Sequence, residues 1–146
     1  MDVAYDADFR AIAIFTAQKG YRLCWLLNHH LETAFTRFPD FVSATGKDHE
    51  EKSIAVYGHE EPLLYNHFYL LSNKTQGHTY LDAPPNMDFL LLIKSPGDRF
   101  DMQDILKKIR AIPQVNTAIE ADTMLGKNAG SLFYDFEMYL SQKADT

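Results

Sequence analysis

Met87-Asp88-Phe89-Leu90-Leu91-Leu92-Ile93-Lys94-Ser95-Pro96-Gly97 is the stretch whose reading decides the fold. Residues 89–93 are apolar at every position. A half-buried strand alternates apolar with polar side chains, so a short run with no polar face predicts a strand covered on both sides. Lys94-Ser95-Pro96-Gly97 ends it. Asp88 stands at its mouth, and a carboxylate there must find a partner or stay in water, because burying it unpaired is costly. The run predicts the centre of a core with one polar site beside it.

Working outward, Asp101 reads as an N-cap, and Met102, Ile105, Leu106, Ile109 and Ile112 form a helical stripe that Pro113 stops. Asp104 early and Lys107, Lys108 and Arg110 late suit the helix dipole. Val115, Thr117 and Ile119 then alternate with Asn116, Ala118 and Glu120, a half-exposed strand. Residues 89–122 therefore predict a strand–helix–strand unit, the second half of a ferredoxin-like domain. Upstream, residues 9–16 predict a central strand, Ile12 and Ile14 on one face and Ala13 and Phe15 on the other. Gly20 is expected to cap a helix whose face carries Leu23, Leu26, Leu27, His30 and Leu31. Residues 34–41 predict a strand, and 53–59 with 63–73 a hairpin around Glu60-Glu61-Pro62. Tyr80-Leu81 predicts a short edge strand. Leu132, Phe133, Phe136 and Leu140 predict a final helix over residues 131–142, docked on the domain's own sheet or helices because a lone helix of that length is marginal in water.

The expected fold is a single α+β domain over residues 1–146, with a mostly antiparallel sheet of five to six strands and two to three helices packed on one face. Residues 1–8 and 143–146 are expected to be flexible. The chain has 146 residues, 46% of them hydrophobic, enough for one core of ordinary size. A formal charge of −6 disfavours a nucleic-acid surface, which needs clustered Lys and Arg. A lone cysteine excludes an internal disulfide, and neither a signal-peptide pattern nor a membrane-length apolar run is read. The expected setting is cytoplasmic, with no membrane and no cofactor.

Catalytic patterns are not legible. Gly130-Ser131-Leu132 lacks the rest of a nucleophile elbow, and glycine-rich phosphate loops do not occur. Cys24 sits within a helical pattern and reads as a small buried apolar group. His49-Glu50-Glu51 and His59-Glu60-Glu61 repeat a triplet, yet their spacing is not that of a metal site, and no metal is expected. The most informative polar set is Arg22, Trp25 and Asn28, three residues apart along one helix face. With Ser72, Asn73, Lys74 and Asp88 they are the candidate binding residues. Arg22 is expected to pair with Asp88. Tyr134, Met138 and Tyr139, off the centre of the last stripe, are candidate homodimer contacts.

Three landmarks carry a resemblance. They are Tyr21-Arg22-Leu23-Cys24-Trp25 followed by Leu27-Asn28, then Leu70-Leu71-Ser72-Asn73-Lys74, then Met87-Asp88-Phe89-Leu90-Leu91-Leu92-Ile93. In order and approximate spacing they resemble the IPExxxVDY family, small proteins of Bacteroidetes, over residues 9–122. The naming motif's Ile-Pro-Glu falls on Leu81-Asp82-Ala83 and its Val-Asp-Tyr on Met87-Asp88-Phe89, with Asp88 identical. The resemblance implies one cytoplasmic bacterial domain and assigns no catalytic residue, cofactor or substrate. The expected function is non-enzymatic, through self-association or a protein partner. The alternative is a small-ligand sensor or an enzyme with a pocket near Arg22, Asn73, Lys74 and Asp88.

Overall fold

The structure, a computed structural model, describes residues 9–44, 50–63, 65–75, 77–97, 99–126 and 128–144. In chain order the elements are β1 (Phe9–Thr16), α1 (Gly20–Leu31), β2 (Thr36–Ser43), β3 (Lys52–Glu61), β4 (Asn66–Ser72), β5 (Lys74–Thr75), β6 (His78–Thr79), β7 (Phe89–Lys94), α2 (Met102–Arg110), β8 (Val115–Glu120) and α3 (Asn128–Ala144). Six strands form one sheet in the order β2-β3-β4-β7-β1-β8, with every neighbouring pair antiparallel. β5 and β6 pair separately as a small hairpin.

The apolar run is β7, an inner strand between β4 and β1. Its side chains divide as the pleat requires. Leu90 and Leu92 face one core with Ala11, Val56, Tyr69 and Phe136. Phe89, Leu91 and Ile93 face the other with Ile12, Ile14, Leu27 and Leu106. β7 and β8 flank β1 and run antiparallel to it, so they are parallel to each other and joined through α2. β1 and β4 stand in the same relation about β7. The two interleaved units make the ferredoxin-like pattern larger than the second half in which it was expected.

Helices lie on both faces, which corrects the expected one-face packing. α1 and α2 bury Leu23, Leu26, Leu106 and Ile109 on one side, and α3 buries Leu132, Phe133 and Phe136 on the other. The reason is β7 itself: a strand apolar on both sides needs a cover on each. α3 forms an aromatic cluster there, with Phe136 edge-on to Phe41 and Tyr69 at 5.2 Å each. The docked stripe expected for the last helix is thus present.

Local signals hold at α2, where Asp101 Oδ1 accepts the Asp104 N–H at 3.1 Å. At α1 the N-cap is Lys19, one residue before the expected Gly20. Gly20 is needed for another reason: a Cβ there would lie 2.6 Å from the Tyr57 hydroxyl. Three expectations shift. Tyr80-Leu81 is not a strand; both residues are buried, and the short strand is His78–Thr79. In β8 the buried residues are Val115 and Ala118, because a register shift beside Phe15 and Thr16 breaks the strict alternation. α3 continues to Ala144, so residues 143 and 144 are helical rather than tail. The expected flexible start at residues 1–8 lies outside the described residues. Among the described residues no helix is long and apolar enough to cross a membrane.

Replacing Phe136 by alanine is expected to cost about 3–5 kcal/mol in urea unfolding, the usual range for a fully buried phenylalanine. Met138→Ala on the exposed side of the same helix is expected to stay within about 0.5 kcal/mol. Equal small effects would contradict the second core.

Candidate functional site

At one end of the sheet β1 and β4 stop and β7 begins, and Asp88 sits where the three meet. Its backbone is locked on both sides: Asp88 N–H donates to Ile14 O at 3.1 Å, and Asn73 N–H donates to Asp88 O at 2.9 Å. The carboxylate takes the Thr16 N–H on Oδ2 at 2.9 Å and the Lys74 ammonium on Oδ1 at 2.9 Å. Lys74, not Arg22, is therefore its partner. The cause is strand pairing: Ser72 lies opposite Phe89, so the residues just beyond Ser72 arrive beside Asp88. Arg22 points away from the sheet, its guanidinium 4.7 Å over the Trp25 ring.

Two of the candidate binding residues serve as joints instead. Asn73 is fully buried; its amide donates to Leu81 O and Met87 O and accepts the Leu81 N–H, all within 2.9 Å. It clamps the segment between β6 and β7. Asn28 accepts the Phe35 N–H at 2.7 Å and the Thr33 hydroxyl at 2.9 Å, closing the turn from α1 into β2. Ser72 spends its hydroxyl on Lys74 O at 3.1 Å.

What remains outward on α1 is an aromatic and cationic ridge. Trp25 is 56% exposed and Tyr21 more so. The His29 ring stacks on Trp25 at 5.8 Å with planes 4° apart, so Arg22, Trp25 and His29 form one continuous stack. His29 and Tyr21 were not among the sequence candidates; the signal was there in the four-residue step from Trp25 to His29.

Among the interface candidates, Tyr134 and Met138 are exposed. Tyr139 belongs to the core side: its ring stacks on Phe136 at 5.1 Å and its hydroxyl donates to Pro39 O at 2.5 Å. Burial pushes that phenol up to about 12. Of the two His-Glu-Glu triplets, His49 lies outside the described residues. His59 Nδ1 accepts the Ala34 N–H at 3.0 Å, which leaves the proton on Nε2 to meet Glu61 at 2.9 Å, while Glu60 accepts from Tyr69 at 2.7 Å. Among the described residues no three His, Cys, Asp or Glu side chains gather as a metal-binding group.

Two shallow clefts adjoin at Ser72. One, about 370 Å³, is bounded by Thr16, Gln18, Lys19, Lys74 and Asp88. The other, about 470 Å³, lies over β2, β3 and the β5–β6 hairpin and includes Arg37, Asp40, Ser53, His78 and Tyr80. Asp40 is held below its ordinary carboxylate value by hydrogen bonds from Ser53 and Arg37. Neither Arg22 nor Trp25 reaches these clefts, so the expected single pocket at Arg22, Asn73, Lys74 and Asp88 divides into separate features.

Lys74 and Asp88 have side chains 45% and 24% exposed, so their coupling is expected to be under about 1 kcal/mol in a double-mutant cycle with Lys74→Met and Asp88→Asn. Arg22→Gln with Asp88→Asn is expected to show none; measurable coupling there would reverse the pairing. Burial also pushes the Cys24 thiol from 9.0 up to about 12. The native chain should therefore resist iodoacetamide at mild pH and react after urea unfolding. A raised pKa means the folded state holds the proton more tightly. The stability tied to Cys24 is full below 9.0 and lost as pH rises toward 12. Tyr139, raised from 10.0 to about 12, adds to this. The urea midpoint is expected to fall through that alkaline window; a midpoint that is flat or rises there would contradict it.

No model of a known family, no curated protein and no solved structure matches this chain.

Proposed function

We propose that the chain is a non-enzymatic cytoplasmic protein that binds another protein through the outer face of α1, recognising an acidic segment with apolar side chains. The observation that carries this reading is the exposed stack of Arg22, Trp25 and His29, flanked by Tyr21. Tryptophan, tyrosine and arginine are the residue types that dominate interface energetics. Charge supports the partner's chemistry. The chain has 20 acidic and 14 basic residues, yet Gly20–Leu31 carries Arg22, His29 and His30 and no carboxylate. A basic aromatic face on an acidic protein attracts acidic segments and is repelled by the same face of a second copy. The non-enzymatic part is supported by where the other polar candidates go: Asn28, Asn73 and His59 are consumed by backbone bonds. The membership in the IPExxxVDY family and a bacterial cytoplasmic setting belong to the same proposal.

A second reading, a small-ligand sensor, is favoured by the two clefts that meet at Ser72. Native mass spectrometry of the purified chain separates it, since a retained small molecule would displace the partner reading.

Trp25 is the single tryptophan, so its fluorescence reports the face directly. Free protein should show solvent-exposed, iodide-quenchable emission. Peptides alternating glutamate with phenylalanine or leucine are expected to shift it to shorter wavelength and protect it, saturably. Arg22→Ala is expected to weaken that binding at least tenfold with stability changed by less than about 0.5 kcal/mol. Shifts produced equally by single-stranded oligonucleotides, or by none of the peptides, would overturn the reading.

A further inference from the structure

The sheet has two outermost strands, β2 and β8, and an open edge presents backbone groups that can pair with another chain. The phase of β8 is fixed by Ala121 N–H donating to Ala11 O at 2.8 Å. Ala13 opposite Ile119 and Phe15 opposite Thr117 continue that hydrogen-bonded set. Alternation then turns the backbone groups of Ala118 and Glu120 outward, away from β1. The outward carbonyl of Ala118 is covered. Arg110, last residue of α2, donates Nε to it at 2.7 Å. The far edge is closed by different means. Pro39 in β2 has no N–H, its carbonyl is taken by the Tyr139 hydroxyl, and the register shifts between Phe38 and Phe41.

We propose that Arg110 guards a latent strand-docking edge, and that the occupant it excludes is β8 of a second copy. Antiparallel strands pair about a two-fold axis, so this edge is complementary to itself. Centred on Ala118, such a pairing sets Glu120 opposite Asn116 of the copy, and Thr117 opposite Ile119. No like charges meet, and Thr117 and Ile119 are good strand formers. Glu120 is already neutralised by Arg10 at 3.3 Å and bonded by Gln103 at 3.1 Å. The guanidinium on Ala118 O is the group that stands in the way. This role is independent of partner binding at α1.

The test is Arg110→Met, which keeps the aliphatic stem and removes every donor, with Arg110→Lys beside it to restore a donor. Light scattering is expected to give the Met variant twice the mass of one chain at high concentration and one chain on dilution, the wild type and Lys variant staying at one. Amide exchange is expected to slow in Val115–Glu120 and nowhere else in the sheet. A Met variant that keeps the wild-type mass, or associates without protection of β8, overturns the proposal. So does a wild type already dimeric through β8, and so does a Met variant that loses cooperative unfolding, since Arg110 would then act in stability.

Discussion

A strand with no polar face has to be buried twice. β7 meets that constraint by lying third from one edge of the sheet, between β4 and β1, and by drawing a helical layer onto each side. Everything larger in the molecule answers to it. α1 and α2 close one core through the interleaved strand–helix–strand units, and α3 closes the other with Phe133 and Phe136. The aromatic residues concentrate where α3 meets β2 and β4, the side with no second helix to share the burial.

The polar residues that looked most like a site mostly hold the chain where it changes direction. A buried backbone group without a partner is costly, so each exit from a strand or helix needs a side chain that supplies bonds. Asn28 does this between α1 and β2, Asn73 between β4 and β7, and His59 between β3 and the start of β2. Asp88 serves the same end at the mouth of β7 and takes Lys74 as counter-ion. On the outer face of α1, by contrast, Tyr21 and Trp25 stay exposed and Arg22 stacks on Trp25.

Surface and edge follow a common logic. The chain is acidic overall, and the basic aromatic face of α1 is separate from the edge strands β2 and β8. Those edges are closed by Arg110 on one side and by Pro39 with Tyr139 on the other. Under the proposed function a partner meets a helix face, where side chains set specificity, and not a backbone ladder that would accept many sequences.

Local chemistry was legible from the residues alone. The run at Phe89–Lys94 declared an inner strand, the stripe from Met102 and its Asp101 cap declared α2, Phe9–Thr16 was read to the residue, and the last apolar stripe declared a docked helix. The α+β class and antiparallel sheet followed from that order of elements. Only the tertiary structure decided what depends on residues far apart in sequence: that α3 crosses to the second face, that Ala118 and not Thr117 is buried beside the register shift in β8, that Lys74 reaches Asp88 while Arg22 stacks on Trp25, and that Tyr139 turns into the core. Periodicity fixes which residues share a face, because it reports geometry within one element. It carries no information on which element comes to lie against that face, and a charged side chain takes whichever opposite charge the assembled sheet brings within reach.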